Sequence, residues 1–364
     1  MTSRRRAKGA HTGLNQSKWS KIISVVVILL SIGMVAYLIL SSGEIGGITE
    51  ALATANKGWL LAAVVCYAGY ITAEGAGLCA FLRMEGYRIR LHTAAHFSFV
   101  GMFYANITPS STGGQPMQVY LMSKRKVPAS VATSALTVRF FFNQLALVGG
   151  TLVLWLVNRA FADAQLSGVM PLIILGCVVN FSCVPLIAAI ILNRALVERV
   201  AMWGIRLLTK CHLCRQPEKW ELKAREGIEH FHASLMSTVR SPLRILIQLA
   251  VSVVEMTLLL IVPYMVYLAL NESGVPWHHI LTVSYMLYVT ASFFPLPGAT
   301  GAQEVGFKSY FSGIFSSELS LSLALLLWRF ATFYFCLLVG SMDAIITNLR
   351  KKQAVIDHDE RIST

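Results

Sequence analysis

Eight long apolar stretches run through this chain, and two of them are cut midway by proline and glycine. They cover 20–41, 58–82, 92–123, 128–157, 168–192, 243–271, 277–317 and 319–349. A helix needs about 20 residues to cross the hydrocarbon core of a bilayer. Backbone placed there must satisfy its own hydrogen bonds, and continuous apolar runs do so as helices. The rest of the composition agrees: of 364 residues, 55% are hydrophobic and only 13% are charged, against about 25% charged in a soluble domain. An ordinary cytosolic enzyme and a disordered chain are both excluded. A formal net charge of +13 would suit nucleic acid, but the basic residues fall in short loops between apolar runs, and no basic stripe has interleaved aromatics. The reading is therefore an all-α polytopic membrane protein with no nucleic-acid partner.

Charge also decides whether the two cut segments cross or turn back. The first break is Thr108-Pro109-Ser110-Ser111-Thr112-Gly113-Gly114-Gln115-Pro116, and the second is Pro295-Leu296-Pro297-Gly298-Ala299-Thr300-Gly301. Arg83, Arg88 and Arg90 precede the first segment and Lys124-Arg125-Lys126 follow it, so both of its ends read as cytoplasmic. The second segment is flanked by Asn271-Glu272-Ser273 and Ser316-Ser317-Glu318, without Lys or Arg, and reads as a hairpin entering from outside. Six full spans and two opposed re-entrant helical hairpins then place 26 of the 31 basic residues on one side, with both termini cytoplasmic. The expected organisation is a basic N-terminus over 1–19, a membrane domain over 20–349 and a tail over 350–364. The run from Ile22 to Leu40 is longer than a signal-peptide core and reads as a retained first span. Trp19, Trp59, Trp155 and Trp277 sit near span ends as interfacial anchors. The loop 193–242 carries Leu196, Val200, Trp203 and Leu207 at helical spacing among Arg199, Arg206 and Lys210, which predicts a helix lying on the anionic inner leaflet. A second helix around 218–238 would carry Leu222, Ile228, Phe231 and Leu235 on one face.

Sliding the sequence by 188 residues lays Pro109, Thr112, Gly113 and Gln115 on Pro297, Thr300, Gly301 and Gln303. A shift of 190 lays Arg139-Phe140 on Arg329-Phe330. Two opposed hairpins with matching breaks form an inverted repeat, about 20–157 and 168–349, an architecture of transporters whose sites lie at the midplane. Each second half-helix begins at Thr-Gly-x-Gln, so its N-terminus favours an anion. Pro116 suits a first helical turn. Arg139 lies about 11 residues, roughly 17 Å, from the cytoplasmic end of its span. Arg329 approaches the midplane from the other side. Such residues face a cavity or a partner; the available partners are Glu74, Glu255 and Glu304, and the choice among them stays open. These glutamates would neutralise the arginines, bind a cationic headgroup, or take up protons. The candidate lipid-binding set is Asn106, Pro109, Thr112, Gly113, Gly114, Gln115, Arg139, Pro297, Gly298, Thr300, Gly301, Gln303, Glu304 and Arg329, with Glu74 and Glu255 as charge partners. Cys66, Cys79, Cys177, Cys183 and Cys336 lie in apolar runs as small hydrophobes. Cys211-His212-Leu213-Cys214 with His230 and His232 loosely matches a zinc pattern, but the H-x-H spacing fits poorly. No metal, cofactor or catalytic residue is expected.

At these motifs the chain resembles the membrane domain of lysylphosphatidylglycerol synthase, the flippase-like domain family. The matching stretches are Asn106 to Pro116, Phe294-Pro295-Leu296-Pro297-Gly298-Ala299-Thr300-Gly301-Ala302-Gln303-Glu304, and Leu327-Trp328-Arg329-Phe330. Ala299 and Ala302 stand where family members often have Gly. The resemblance implies movement of a lipid between leaflets of a bacterial cell membrane. In full-length synthases a soluble domain transfers an aminoacyl group from charged tRNA to phosphatidylglycerol. Here the sequence ends about 15 residues after the last span, so a stand-alone, non-enzymatic member is expected. The leading reading is a transporter of an anionic, aminoacylated or other phosphate-bearing phospholipid. The alternatives are a membrane subunit for a separate synthase or glycosyltransferase, docked through the basic loop, and a phosphatidylglycerol lysyltransferase. A homo-oligomer is compatible with all three.

Overall fold

A computed structural model describes residues 53–108, 111–210, 217–292, 299 and 301–342, and every regular element among them is helical. The first apolar run, Trp19, Pro109, Pro297, Gly298, Thr300, Cys211, Cys214 and the tail lie outside the described residues. Five helical stretches are long and apolar enough to cross a membrane: Lys57–Met84, Ala129–Val157, Arg159–Leu192, Pro242–Ala269 and Glu318–Met342. They coincide with five of the runs that the sequence reads as full spans.

Helix α1 (Lys57–Met84) starts behind Asn56, whose side chain accepts the Gly58 amide at 3.0 Å, satisfying a donor that the helix cannot. The first cut segment forms α2 (Leu91–Ile107) and α3 (Gly114–Lys124). The two run antiparallel, with Gly101 against Gln118 and Ala105 against Gly114. Helix α4 (Ala129–Val157) follows, then α5 (Arg159–Leu166) and α6 (Met170–Leu192). Outside the spans lie α7 (Arg194–Lys210) and α8 (Pro217–Val239). Helices α9 (Pro242–Leu260) and α10 (Val262–Ala269) make one kinked stretch, with Pro263 just past the joint. The second cut segment forms α11 (Trp277–Ala291) and α12 (Ala302–Tyr310). Helix α13 (Glu318–Arg329) is capped by Ser317, which accepts the Ser320 amide at 3.1 Å, and passes at Arg329 into a π-helical turn, Phe330–Tyr334.

The outward faces of the long helices are apolar while four charged side chains lie inside the bundle, as expected of a chain whose solvent is lipid. Leu152, Val153, Leu156 and Val157 on α4 and Leu172, Ile174, Leu175 and Val178 on α6 are exposed. Arg139, Glu255, Glu304 and Arg329 are buried. Trp59 and Trp277, at the starts of α1 and α11, are exposed. Two large hydrophobic clusters, with two smaller ones beside them, fill the bundle. One joins Leu78, Phe81, Phe97, Met122, Ala135 and Leu235 from α1, α2, α3, α4 and α8. The other joins Tyr67, Tyr267, Met286, Phe307, Phe311 and Trp328 from α1, α10, α11, α12, α13 and the adjoining loop.

Helix α8 is docked on the bundle. Ile228 and Leu235 are buried, and the Ser134 hydroxyl of α4 donates to the Phe231 carbonyl at 3.1 Å. Leu222, expected on that same face, is exposed near the far end. Arg244 fastens the junction by donating to Glu85 at 2.8 Å and to the Met84 carbonyl at 3.0 Å. On α7, Val200, Trp203 and Leu207 form an uncovered apolar row.

Candidate functional site

The two breaks have matching backbones. Ser111 (φ 54°) and Ala299 (φ 49°) are both left-handed although neither is glycine, and they lie 188 residues apart. The helices after them begin at Gly114 and Ala302, again 188 apart. Non-glycine residues in this region carry local strain of order 1 kcal/mol or more. Its recurrence at the same place in both motifs extends the sequence match to conformation. Each break is held differently. In the first, the Thr108 hydroxyl donates to the Tyr104 carbonyl at 2.7 Å and accepts the Gly113 amide at 2.9 Å. In the second, the Gly301 amide donates to Glu304 Oε2 at 2.5 Å. The start of α12 thus already holds an anion, the chain's own Glu304, where a helix N-terminus favours negative charge.

That carboxylate also answers Arg329. Arg329 Nε donates to Glu304 Oε1 at 2.8 Å, its Nη2 lies 2.6 Å from the same oxygen, and its Nη1 donates to Gln303 at 2.7 Å. The guanidinium lies 5.4 Å from the Trp328 ring and 5.3 Å from that of Phe333, within cation–π range. Arg329 is 2% exposed and Glu304 0%. The π turn follows immediately, and such turns recur at functional sites.

Arg139 pairs across the molecule with Glu255 on α9. Its Nη1 donates to Ser252 at 3.0 Å and Gln248 at 3.2 Å, and Nη2 donates to Asn143 at 3.3 Å. Asn143 in turn donates to Glu255 at 2.9 Å. A Cβ on Gly77 would stand 2.5 Å from the guanidinium carbon, so only glycine lets α1 close over it. Glu74, one turn earlier on α1, accepts from Gln118 Nε2 at 3.0 Å. The structure therefore makes the choice left open by spacing: Arg139 with Glu255, and Arg329 with Glu304.

Between the two charge centres is a cavity of ≈ 730 Å³. Ser111, Thr112 and Gln115 of the first break reach it, as do Ala299 of the second break and Gln303 of α12. Its polar wall includes Asn106, Asn143, Gln144, Asn180 and Arg329; its aromatic wall includes Tyr67, Tyr70, Tyr288, Trp328 and Phe333. Of the candidate set, Asn106, Thr112, Gln115, Gln303 and Arg329 line this space. Arg139 and Glu255 stand behind Asn143, while Gly113, Gly114, Gly301 and Glu304 shape the breaks. Asn143, Gln248, Ser252 and Gln118 were not among the expected residues. Their signal was available, since an amide or hydroxyl inside an apolar span must find a partner. Among the described residues no three of His, Cys, Asp and Glu cluster as metal ligands.

A helical bundle with apolar outward faces on its long helices, buried ion pairs and two broken segments flanking a cavity of mixed polar and apolar lining defines a multi-pass integral membrane protein. The chain belongs to the family described as the lysylphosphatidylglycerol synthase TM region, which matches residues 22–340. It is also similar to a UPF0104 membrane protein of Archaeoglobus fulgidus. The two are 24% identical over 284 residues, which cover 73% of this chain and 80% of the relative.

Proposed function

We propose that this protein moves an anionic, aminoacylated or otherwise phosphate-bearing phospholipid between leaflets, its headgroup passing through the cavity between the two breaks. The carrying observation is that one cavity touches both breaks and Arg329 at once. The proposed architecture has six full spans, with α2–α3 and α11–α12 as opposed re-entrant hairpins of an inverted repeat, so that each break reaches the cavity from its own side. Pairing with Glu304 and Gln303 keeps the Arg329 donors aimed, and a phosphate would share them rather than meet a bare charge. The uncovered row Val200, Trp203 and Leu207, with Arg199 and Arg206 beside it, supports a surface helix on an anionic inner leaflet. The same row is what a separate lipid-modifying enzyme would dock on in the second reading.

The test is leaflet exchange of labelled anionic, zwitterionic and aminoacylated lipids in proteoliposomes. Gln144→Trp adds bulk to the cavity from α4 without replacing a member of either ion pair, and headgroup-selective exchange should fall about tenfold or more in it. Arg329→Gln with Glu304→Gln removes both charges together and should lose selectivity among headgroups. Exchange that is unaltered in folded Gln144→Trp would overturn the site. Its absence for every lipid, together with a co-purifying synthase, would favour the docking reading.

A further inference from the structure

The cluster around Arg139 holds more acid than base. Glu255 takes the guanidinium directly, and the Asn143 amide satisfies its other oxygen. Glu74 stands close enough to interact electrostatically with both Arg139 and Glu255. Its Oε1 is held by Gln118, but its Oε2 is buried and has no hydrogen-bond partner among the described residues. Arg139 Nε, on a side chain 3% exposed, also has none. Two ionised carboxylates around one guanidinium would leave a net negative charge in a lipid-surrounded interior. An unpaired buried carboxylate neutralises itself rather than bear that desolvation cost.

We propose that Glu74 is a proton-binding site, neutral at rest, that exchanges its proton with the cavity. Binding forms one O–H bond on Oε2 and takes the cluster from net −1 to 0; release returns the proton to water. The titratable and charged groups facing Glu74 are Arg139 from α4, Glu255 from α9, Tyr288 from α11 and Tyr70 from its own helix. Helix α3 brings the neutral Gln118, and His92 and His96 of α2 are exposed. A metal cation is a poor competitor, because Gln118 turns its nitrogen to Glu74, Arg139 repels positive charge, and hard cations require a cage of oxygens. The site adjoins the cavity twice. Tyr70, one turn from Glu74, lines it, and so does Asn143, which bridges Arg139 and Glu255. On the transport reading above, proton uptake at Glu74 is the energy input, since loss or gain of one charge beside Arg139 alters what Asn143 presents to a headgroup.

Infrared spectroscopy of the full chain in nanodiscs tests the proton without needing a substrate. The carbonyl stretch of a protonated carboxylic acid should be present near neutral pH, shift in heavy water, vanish in Glu74→Gln and move in Glu74→Asp. Absence of that band, or its survival in folded Glu74→Gln, overturns the proposal. Should Glu74→Gln not fold, an unmoved band in Glu74→Asp does the same. In proteoliposomes, a pH gradient should accelerate lipid exchange by the native chain and leave Glu74→Gln unresponsive. A Glu74 band without exchange of any lipid would sink the transport reading and leave the proton site standing. Exchange that ignores the gradient would sink the coupling alone.

Discussion

Arg139 with Glu255 and Arg329 with Glu304 are all at most 3% exposed, so each pair sits where a lone charge is intolerable. Removing one partner of such a pair typically costs about 3–5 kcal/mol, because the survivor stays buried and uncompensated, whereas replacing both by apolar residues of similar volume is often neutral. Glu255→Gln in a Glu74→Gln background, where Glu74 cannot ionise in its place, should therefore lower the thermal unfolding midpoint in detergent sharply. In the same background, Arg139→Met combined with Glu255→Leu should recover most of the loss. Equal damage from the single and the double changes would mean that Arg139 is held by Ser252, Gln248 and Asn143 more than by charge. The arginines were legible as exceptional from their place in apolar runs. Their partners were not, because Arg139 and Glu255 lie 116 residues apart and meet only through the packing of α4 on α9.

Among the elements, helix contacts divide into those that tolerate a methyl group and those that do not. A Cβ on Gly75 of α1 would stand 2.5 Å from the Ala95 Cα of α2, which is backbone and cannot rotate away. A Cβ on Gly149 of α4 would meet nothing within 4 Å. Gly149→Ala should be neutral or stabilising by about 0.5–1 kcal/mol through backbone entropy. Gly75→Ala should cost about 1–3 kcal/mol by forcing α1 and α2 apart. Thermal unfolding of both variants in one detergent checks the ranking, and equal midpoints would contradict the α1–α2 contact. The breaks were visible in sequence because proline and glycine cluster there, and neither favours a helix interior. The left-handed Ser111 and Ala299 were not, since both residue types ordinarily avoid that conformation.

For the molecule as a whole, the antiparallel pair α2–α3 makes sidedness the decisive measurement. If α2–α3 turns back, the loop before α2 and the loop after α3 share a face. Cysteines introduced singly at Arg88 and Arg125 in a chain with its native cysteines replaced should be labelled by an impermeant maleimide from the same side. Labelling from opposite sides would make α2–α3 a full crossing and reverse every later loop. A cysteine at Asn271 should be reached only from the other side.

Hydropathy and charge determined, from the sequence alone, that the chain is a helical membrane bundle, where five of its long apolar helices lie and where two further apolar segments break. A bilayer demands long apolar helices, and proline, glycine and arginine are conspicuous exceptions inside them. The motif repeat likewise singled out both breaks and both arginines as candidates. Tertiary structure alone decided which glutamate neutralises which arginine, that Glu304 occupies the start of its own helix, that one cavity reaches described residues of both breaks, and that Glu74 is left over. These depend on side chains meeting across helices distant in sequence, and a periodicity read along one helix carries no information about the face its neighbour presents.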